Sequence, residues 1–261
     1  MNVKLYESEL SSAEWQTIQP LFPRAKKKQN PRKYSYKVIF NAILYTLKTG
    51  CAWRLLPNDY PPWQSVYYYF SKWKKLDLLE KLNTKLREKL RESLGRDKDP
   101  SVAIIDSQTI KASDTSENTG YDGGKKINGR KRHIVVDVLG LLIAVFVSPA
   151  NFSDRNGAKR NFEKIASSPR LKKIWADGSY TGTIISDTHE DYGWSIEVIK
   201  PVTGKGPGFH VRPWCWIVER SFAWLTKNRR LCREYERDSA SSEALIQIAM
   251  VKNMAKRLVS G

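Results

Sequence analysis

Along the first hundred residues apolar positions recur at three- and four-residue steps, the period of a helix with one buried face. Ser11–Glu14 has the S-x-x-E form of a capping box and predicts a short helix carrying Trp15, Ile18 and Leu21 on one side. After a loop over 23–31, Ile39, Ile43 and Leu47 form a single stripe, which predicts a helix over 36–49 with Gly50 as its C-cap. Residues 51–62, CAWRLLPNDYPP, read as a connection, and Pro61-Pro62 leads into a third helix over 63–73. Tyr67, Tyr68 and Tyr69 are consecutive on it, so they cannot all face inward. These three helices, with a short turn before the last, suggest a helix-turn-helix. Leu79, Leu82, Leu86 and Leu90 then mark a long amphipathic helix over 76–94, a connector or dimer surface. The polar run 95–100 ends the pattern and sets the expected boundary between a helical domain, 1–99, and a second domain, 100–261.

Beyond that boundary the pattern changes. In VAIIDSQTIK, 102–111, four apolar residues precede Asp106, which predicts a central strand ending in a carboxylate at the sheet's rim. The Gly-, Ser- and Asn-rich stretch 112–132 reads as a loop. RHIVVDV and LLIAVFVSP flank Gly140 and predict an antiparallel hairpin with Asp137 inside it. A helix follows over 151–167, with Asp154 as its N-cap and Phe162 and Ile165 on its apolar side. The strand 172–176 again ends in a carboxylate, Asp177, before a helix reaching about Glu190. SIEVIK, 195–200, is a further strand; the glycine-rich VTGKGPGF after it lacks the spacing and Ser/Thr of a phosphate-binding loop. WCWIVERSFAWLTK, 214–227, predicts a helix burying Val218, Phe222 and Leu225, with Glu219 at the edge of that stripe. A last helix over 241–258 carries Leu245, Ile248 and Met254. The expected fold class is therefore α/β: a ribonuclease-H-like mixed sheet flanked by helices, preceded by a small all-helical domain.

Composition adds a partner to this picture. With 41% hydrophobic residues and nine Trp the chain is that of a folded protein, and 45 Lys and Arg against 27 Asp and Glu leave +18. So large an excess suits a polyanion, nucleic acid above all. No apolar run approaches the roughly 20 residues that span a bilayer, and MNVKLYESEL lacks the core of a signal peptide, so no membrane partner and a cytoplasmic location are expected. Between residues 24 and 57 there are nine Lys or Arg, among them Lys26, Lys27, Lys28, Arg32 and Lys33, and no acid. On the third helix Tyr68 and Lys72 are candidates for the DNA-facing side, and Lys125, Arg130, Lys131 and Arg132 in the glycine-rich loop would suit a phosphate backbone.

The chemistry rests on carboxylates. Cys51, Cys215 and Cys232 form no CxxC, and His133, His189 and His210 are scattered, so any metal must be held by oxygen. A lone Asp at a strand end is ordinarily a turn residue. Here the arrangement occurs twice, at Asp106 and Asp177, and Glu219 offers a third acid. Hard oxygen ligands suit Mg²⁺, with Mn²⁺ as an alternative. Two such ions about 3.5–4 Å apart stabilise both the attacking and leaving oxygens of an in-line phosphoryl displacement. In a basic protein this points to cutting or joining a nucleic-acid backbone.

The stretches LSSAEWQTIQPLFP, NAILYTLKTGCAWRLLPNDYPPWQSVYYYFSKW, IDSQTIKAS, GRKRHIVVD, ADGSYTG and VERSFAWLTKNRRL followed by REYE run through nearly the whole chain. In this order they resemble the DDE transposases of bacterial insertion sequences, of the four/five superfamily and most like family five. The resemblance implies that Asp106, Asp177 and Glu219 are the catalytic, metal-binding triad, with two ions per active site. It also implies that double-stranded DNA is the partner, both terminal inverted repeats and target, and that the protein acts as a homodimer or larger assembly. Arg229 and Arg230 match the family's basic pair and would contact DNA. The family's third acid has a Tyr and an Arg before it and a Lys after it. Here Arg212 and Cys215 hold the preceding spacings, Arg220 and Lys227 are the nearest basic residues, and Glu234 or Glu236 stays open as the third acid. Two other readings remain at this point: a ribonuclease-H-like nuclease without strand transfer, and a non-catalytic DNA-binding protein derived from a transposase.

Overall fold

The computed structural model describes residues 6–23, 33–199 and 214–260. They divide into two compact units, one of residues 1–96, 225–232 and 244–261, the other of 97–224 and 233–243. Residues 225–232 and 244–261 group with the helical residues, and Leu245, Ile248 and Met254 of the last helix are buried. Among the described residues no helix is long and apolar enough to cross a membrane.

In the helical unit, α1 (Ser12–Ile18) opens with a complete capping box. Ser11 Oγ accepts from the Glu14 amide at 3.1 Å, and Glu14 Oε2 accepts from the Ser11 amide at 2.6 Å. Helix α2 (Tyr36–Thr49) is capped by Ser35 and stopped by Gly50 at φ +76°. A Cβ there would also stand 3.3 Å from the Arg229 Cβ, so both the left-handed backbone and the close neighbour favour glycine. The connection over 51–62 lies where expected and contains a 3-10 turn at Trp53–Leu55. A turn closed by the Tyr60 amide on the Pro57 carbonyl follows, and Pro61 and Pro62 then lead into α3 (Trp63–Lys75). Phe22, Tyr36, Phe40 and Trp73 pack ring on ring at centroid distances of 5.2–6.2 Å. In α4 (Leu78–Ser93) the four stripe leucines are at most 2% exposed. They are therefore core rather than a surface for a second copy. Asn83 Nδ2 donates to the Gln247 carbonyl of α8 (Ser239–Ser260), which extends beyond its expected ends.

The other unit is a six-stranded mixed sheet. Its strands are β1 (Val102–Lys111), β2 (Gly120–Asp122), β3 (Ile127–Asp137), β4 (Leu142–Pro149), β5 (Lys173–Ala176) and β6 (Ser195–Val198). Along the sheet the order runs β2-β3-β1-β5-β6, with β4 on β3. The first three long strands, β1, β3 and β4, are antiparallel neighbours, and β5 and β6 add in parallel on the other side of β1. This is the expected ribonuclease-H-like layout. The helices are α5 (Asp154–Ile165), α6 (Ile184–Tyr192) and α7 (Cys215–Thr226). Ala103, Ile105, Val135 and Ile174 of the sheet form one core with Ala158, Phe162 and Ile165 of α5 and Ile184 of α6.

Several local expectations are corrected. Asp106 lies in the middle of β1 and not at its end, because β3 continues to pair with β1 as far as Lys111. The glycine-rich loop is shorter than expected, since β3 begins at Ile127. Gly129 is required there: a Cβ would fall 1.9 Å from the Ile110 carbonyl oxygen. The N-cap of α5 is Ser153, whose hydroxyl accepts from the Asn156 amide, and Asp154 is the first helical residue. Asp137 closes the β3–β4 turn by accepting the amides of Leu139 and Leu141, both at 2.9 Å.

Candidate active site

Where β1 lies beside β5, the pairing runs Val102 with Lys173, Ala103 with Ile174 and Ile104 with Trp175. The same offset carried two residues on sets Asp106 beside Asp177. Asp106 is therefore interior to β1 on its antiparallel side, yet just past the end of the ladder on its parallel side. Crevices beyond the carboxyl ends of parallel strands are where such sheets take ligands. Because side chains alternate along a strand, Ile104, Asp106, Trp175 and Asp177 share one face. Trp175 on that face stacks on Trp214, ring centroids 4.5 Å apart, and α7 starts at the next residue.

The electrostatics agree with this placement. Half-buried Asp106 has its carboxyl pushed up to about 7, first by burial and then by the charges of Asp177 and Asp154, against the Ser107 amide and Lys125, which favour the carboxylate. The Ser107 amide donates to Asp106 Oδ1 at 2.7 Å. Asp177 Oδ1 accepts from the amide of Ser179 at 2.9 Å and from its hydroxyl at 2.5 Å, in the 3-10 turn Gly178–Tyr180. Two hard oxygen donors near each other, one of them held against its charged form by burial and also by the other, suit a divalent cation. Glu219 is on the exposed side of α7, and among the described residues no three His, Cys, Asp or Glu side chains are grouped to hold a metal. The structure thus brings together Asp106 and Asp177 and leaves Glu219 outside that pair.

The other two candidate acids have structural partners. Glu234 is 2% exposed, and its Oε1 accepts from the Ser242 hydroxyl at 2.6 Å and the Glu236 amide at 3.0 Å and faces Arg130 Nη1 at 3.7 Å. Glu236 is 6% exposed.

Of the basic candidates, Lys33, Lys72, Lys125, Lys227 and Arg229 are exposed. Lys33 and Tyr68 line one surface hollow with Gln64 and Ser65, and Lys72 Nζ lies 5.8 Å from the Tyr68 ring. Tyr68 is 57% exposed, whereas Phe70 and Trp73 of the same helix are core. Lys26, Lys27, Lys28, Arg32 and Arg212 lie outside the described residues. Four others depart from the expectation of a DNA-facing side chain. Arg130 and Arg132 are buried in β3, and Arg130 donates to the carbonyls of Glu117, Glu236 and Arg237. Lys131 is buried between Asp154 and the Phe152 carbonyl. Arg230 is buried against Trp53 and donates to the Cys51 carbonyl at 2.7 Å. A guanidinium spent on internal carbonyls has no donors left for phosphate. Arg220 is half-buried, held between Trp216 and Trp224 and donating to the Leu139 carbonyl at 3.2 Å.

Sequence reasoning missed the residues behind Asp106. Ser107 Oγ donates to Asp154 Oδ1 at 2.6 Å, and Lys131 Nζ pairs with the same oxygen at 3.2 Å. Tyr180 is 1% exposed, with its phenol pushed well above its ordinary value by burial and by Asp106, Asp154 and Asp177. The repeated strand–Asp–polar pattern pointed to the two aspartates but carried no sign of a partner 47 residues away from Ser107.

Residues 97–201 match the family model described as "Transposase DDE domain", and residues 10–83 match that described as "Putative transposase of IS4/5 family". The site is thus carried by a transposase catalytic domain of the DDE class. With both models matched in order over more than half of its length, the chain belongs to the DDE transposases of the IS4/5 type. Among solved structures it is similar to the catalytic domain of Mos1 mariner transposase, at 11% identity over 69% of this chain and 89% of that one with a TM-score of 0.32. It is also similar to the Mos1 strand transfer complex (11% identity, 91% and 81% covered, TM-score 0.31) and the Mos1 mariner paired end complex with Mn (12%, 90% and 80%, 0.31). Comparison with curated proteins finds no match.

Proposed function

We propose that this transposase binds the terminal inverted repeats of an insertion sequence, cleaves phosphodiesters at its ends and joins the freed 3′ hydroxyls to target DNA. The observation that carries the reading is that Asp106 and Asp177 both follow the end of one parallel strand ladder and act on each other electrostatically, within the part of the chain that matches the DDE domain. Asp106, Asp177 and Glu219 would hold divalent cations, two per active site in the Mg²⁺ or Mn²⁺ form, and these supply charge neutralisation to the phosphoryl group in flight. Glu219 is favoured over Glu234 and Glu236 as the third acid, since it is exposed on a helix at the sheet face of the two aspartates while the other two are buried.

The chain's own residues divide the remaining work. The Ser107 amide fixes one oxygen of Asp106, and Ser179 fixes one oxygen of Asp177, so both acids are oriented by backbone-anchored donors. The exposed Lys33, Tyr68 and Lys72 of the helical unit offer cations and an aromatic face to the terminal repeats, and Lys125 and Arg229 are further phosphate contacts. Water attacks at the element's end and leaves a 3′ hydroxyl, which attacks the target strand without a covalent protein–DNA link. DNA is the partner, and a homodimer or larger assembly pairs the two ends. A cytoplasmic, nucleoid-bound location follows from that partner.

The test is cleavage and joining on DNA carrying the element's own ends, with Mg²⁺ and with EDTA. Wild type is expected to give both products with Mg²⁺ alone, and Asp106→Asn, Asp177→Asn and Glu219→Gln are expected to lose cleavage while keeping DNA binding. If both aspartate variants still cut, the reading fails. Cleavage without any joining of a pre-cut end would leave a nuclease.

A further inference from the structure

Asp106 is held from behind by residues that neither the triad nor the basic surface accounts for. Its Oδ1 accepts from the Ser107 amide at 2.7 Å, and the Ser107 hydroxyl donates to Asp154 Oδ1 at 2.6 Å, the short distance of a charge-assisted bond. Asp154 is anchored in turn by Lys131 Nζ at 3.2 Å, and Lys131 also donates to the Phe152 carbonyl at 3.0 Å. Alternation along β1 puts Asp106 and Ser107 on opposite faces of the sheet, so one residue's two donors tie a carboxylate above the sheet to a carboxylate below it.

A separate observation lies at the same place. Tyr180, 1% exposed, has a hydroxyl with no hydrogen-bond partner, although Asp106, Asp154 and Asp177 all act on it electrostatically. Ser107 Oγ, which gives its proton to Asp154, is the nearby oxygen that can accept from that hydroxyl. An unpaired buried hydroxyl costs on the order of 1–3 kcal/mol. This one is a donor whose charged neighbours, Asp106, Asp154 and Asp177, are all acceptors.

Resting on the reading of Asp106 as a cation ligand, we propose that Asp154 and Ser107 are positioning residues for Asp106, with the Tyr180 hydroxyl as the reserve donor that steadies the carboxylates once a divalent cation is bound. A simpler role for Asp154 is helix stability, since an acid in the first turn of α5 favours that helix. The two roles part on cation affinity. A helix-stabilising acid affects melting only, whereas residues that orient a ligand typically change metal affinity by about 10- to 100-fold.

The experiment is calorimetric titration of Mn²⁺ into the full-length protein, with thermal unfolding measured alongside. Asp154→Asn and Ser107→Ala are each expected to weaken Mn²⁺ binding by about tenfold. The double variant should be no weaker than either single one, because the two act in series. Ser107→Thr, which keeps the hydroxyl, should restore wild-type affinity, and Tyr180→Phe should weaken binding without lowering the melting temperature. Unchanged Mn²⁺ affinity in both Asp154→Asn and Ser107→Ala, or additive losses in the double variant, would overturn the proposal. Asp106→Asn serves as the reference. Loss of binding there with none in Asp154→Asn defeats the positioning role alone, while wild-type binding in Asp106→Asn defeats the reading of the centre as well.

Discussion

Replacing Asp106 by Asn should make the protein more stable when no divalent cation is present. In the folded chain the Asp106 carboxyl is pushed from 3.8 up to about 7, chiefly by burial, with Asp177 and Asp154 adding to it. Below pH 3.8 the acid is protonated in both folded and unfolded chains and contributes no difference. Between 3.8 and 7 the folded chain holds the proton more tightly, so folding loses free energy as pH rises, and above 7 the loss is complete. At about 1.4 kcal/mol per pH unit the ceiling is roughly 4 kcal/mol. Partial solvent access to the half-buried carboxyl brings the expected cost to about 2 kcal/mol. Asn keeps the acceptor for the Ser107 amide and carries no charge. Thermal unfolding in EDTA should therefore show the variant melting on the order of 5 °C higher than wild type at pH 8, with the gap closing towards pH 4. Added Mn²⁺ should raise the wild-type melting temperature and not that of the variant. An Asp106→Asn protein that melts at or below the wild-type temperature at pH 8 in EDTA would refute the account of a strained, charge-crowded carboxylate.

His133 is fully buried beside Gly157, and burial pulls its imidazole down to about 4, so the folded protein resists its protonation; stability should fall by up to about 3 kcal/mol as pH drops from 6.5 to 4, and a His133→Gln protein, weaker at neutral pH, should show a flatter pH profile in chemical denaturation. Arg130→Met should destabilise by about 3–5 kcal/mol, because it leaves Glu234 charged and buried, and adding Glu234→Gln should recover part of that loss in urea unfolding. Lys72→Ala should weaken DNA binding about equally on specific and random sequences and lower the salt slope by about 1, measured by fluorescence anisotropy between low and physiological salt; an unchanged slope would remove Lys72 from the interface.

Features set by a few neighbouring residues were legible from the pattern alone. The capping box at Ser11–Glu14, the glycine stop at Gly50, the leucine stripe of α4 and the turn after Asp137 each obey a local rule, and each is present. Features set by distant partners were not. Arg130 and Arg132 read as cations of an open loop, because nothing near them announces that carbonyls of residues 117, 236 and 237 enclose Arg130. Asp106 read as the last residue of its strand, because its apolar run stops there. In fact β1 continues on hydrogen bonds to β3 after β5 has ended, and a polar strand half-covered by its neighbours lacks a hydrophobic signature. The two aspartates could be paired by their repeated context, whereas Asp154 looked like an ordinary helix cap, a place that Ser153 takes instead.

The shared offset of β1 and β5 works as a ruler for the chemistry. The paired part of β1 and β5 is held at the spacing of hydrogen-bonded strands, about 4.8 Å, a length fixed by peptide geometry rather than by any side chain, and Asp106 and Asp177 follow directly from it. Substitutions in the surrounding core can loosen the fold without changing that length. A single residue inserted between Val102 and Asp106 would be a different matter, for it would turn the carboxylate through to the opposite face of the sheet. The four apolar residues that lead into Asp106 are thus closed to change in number, and length variation in this family should be confined to the loops that enter and leave the ladder.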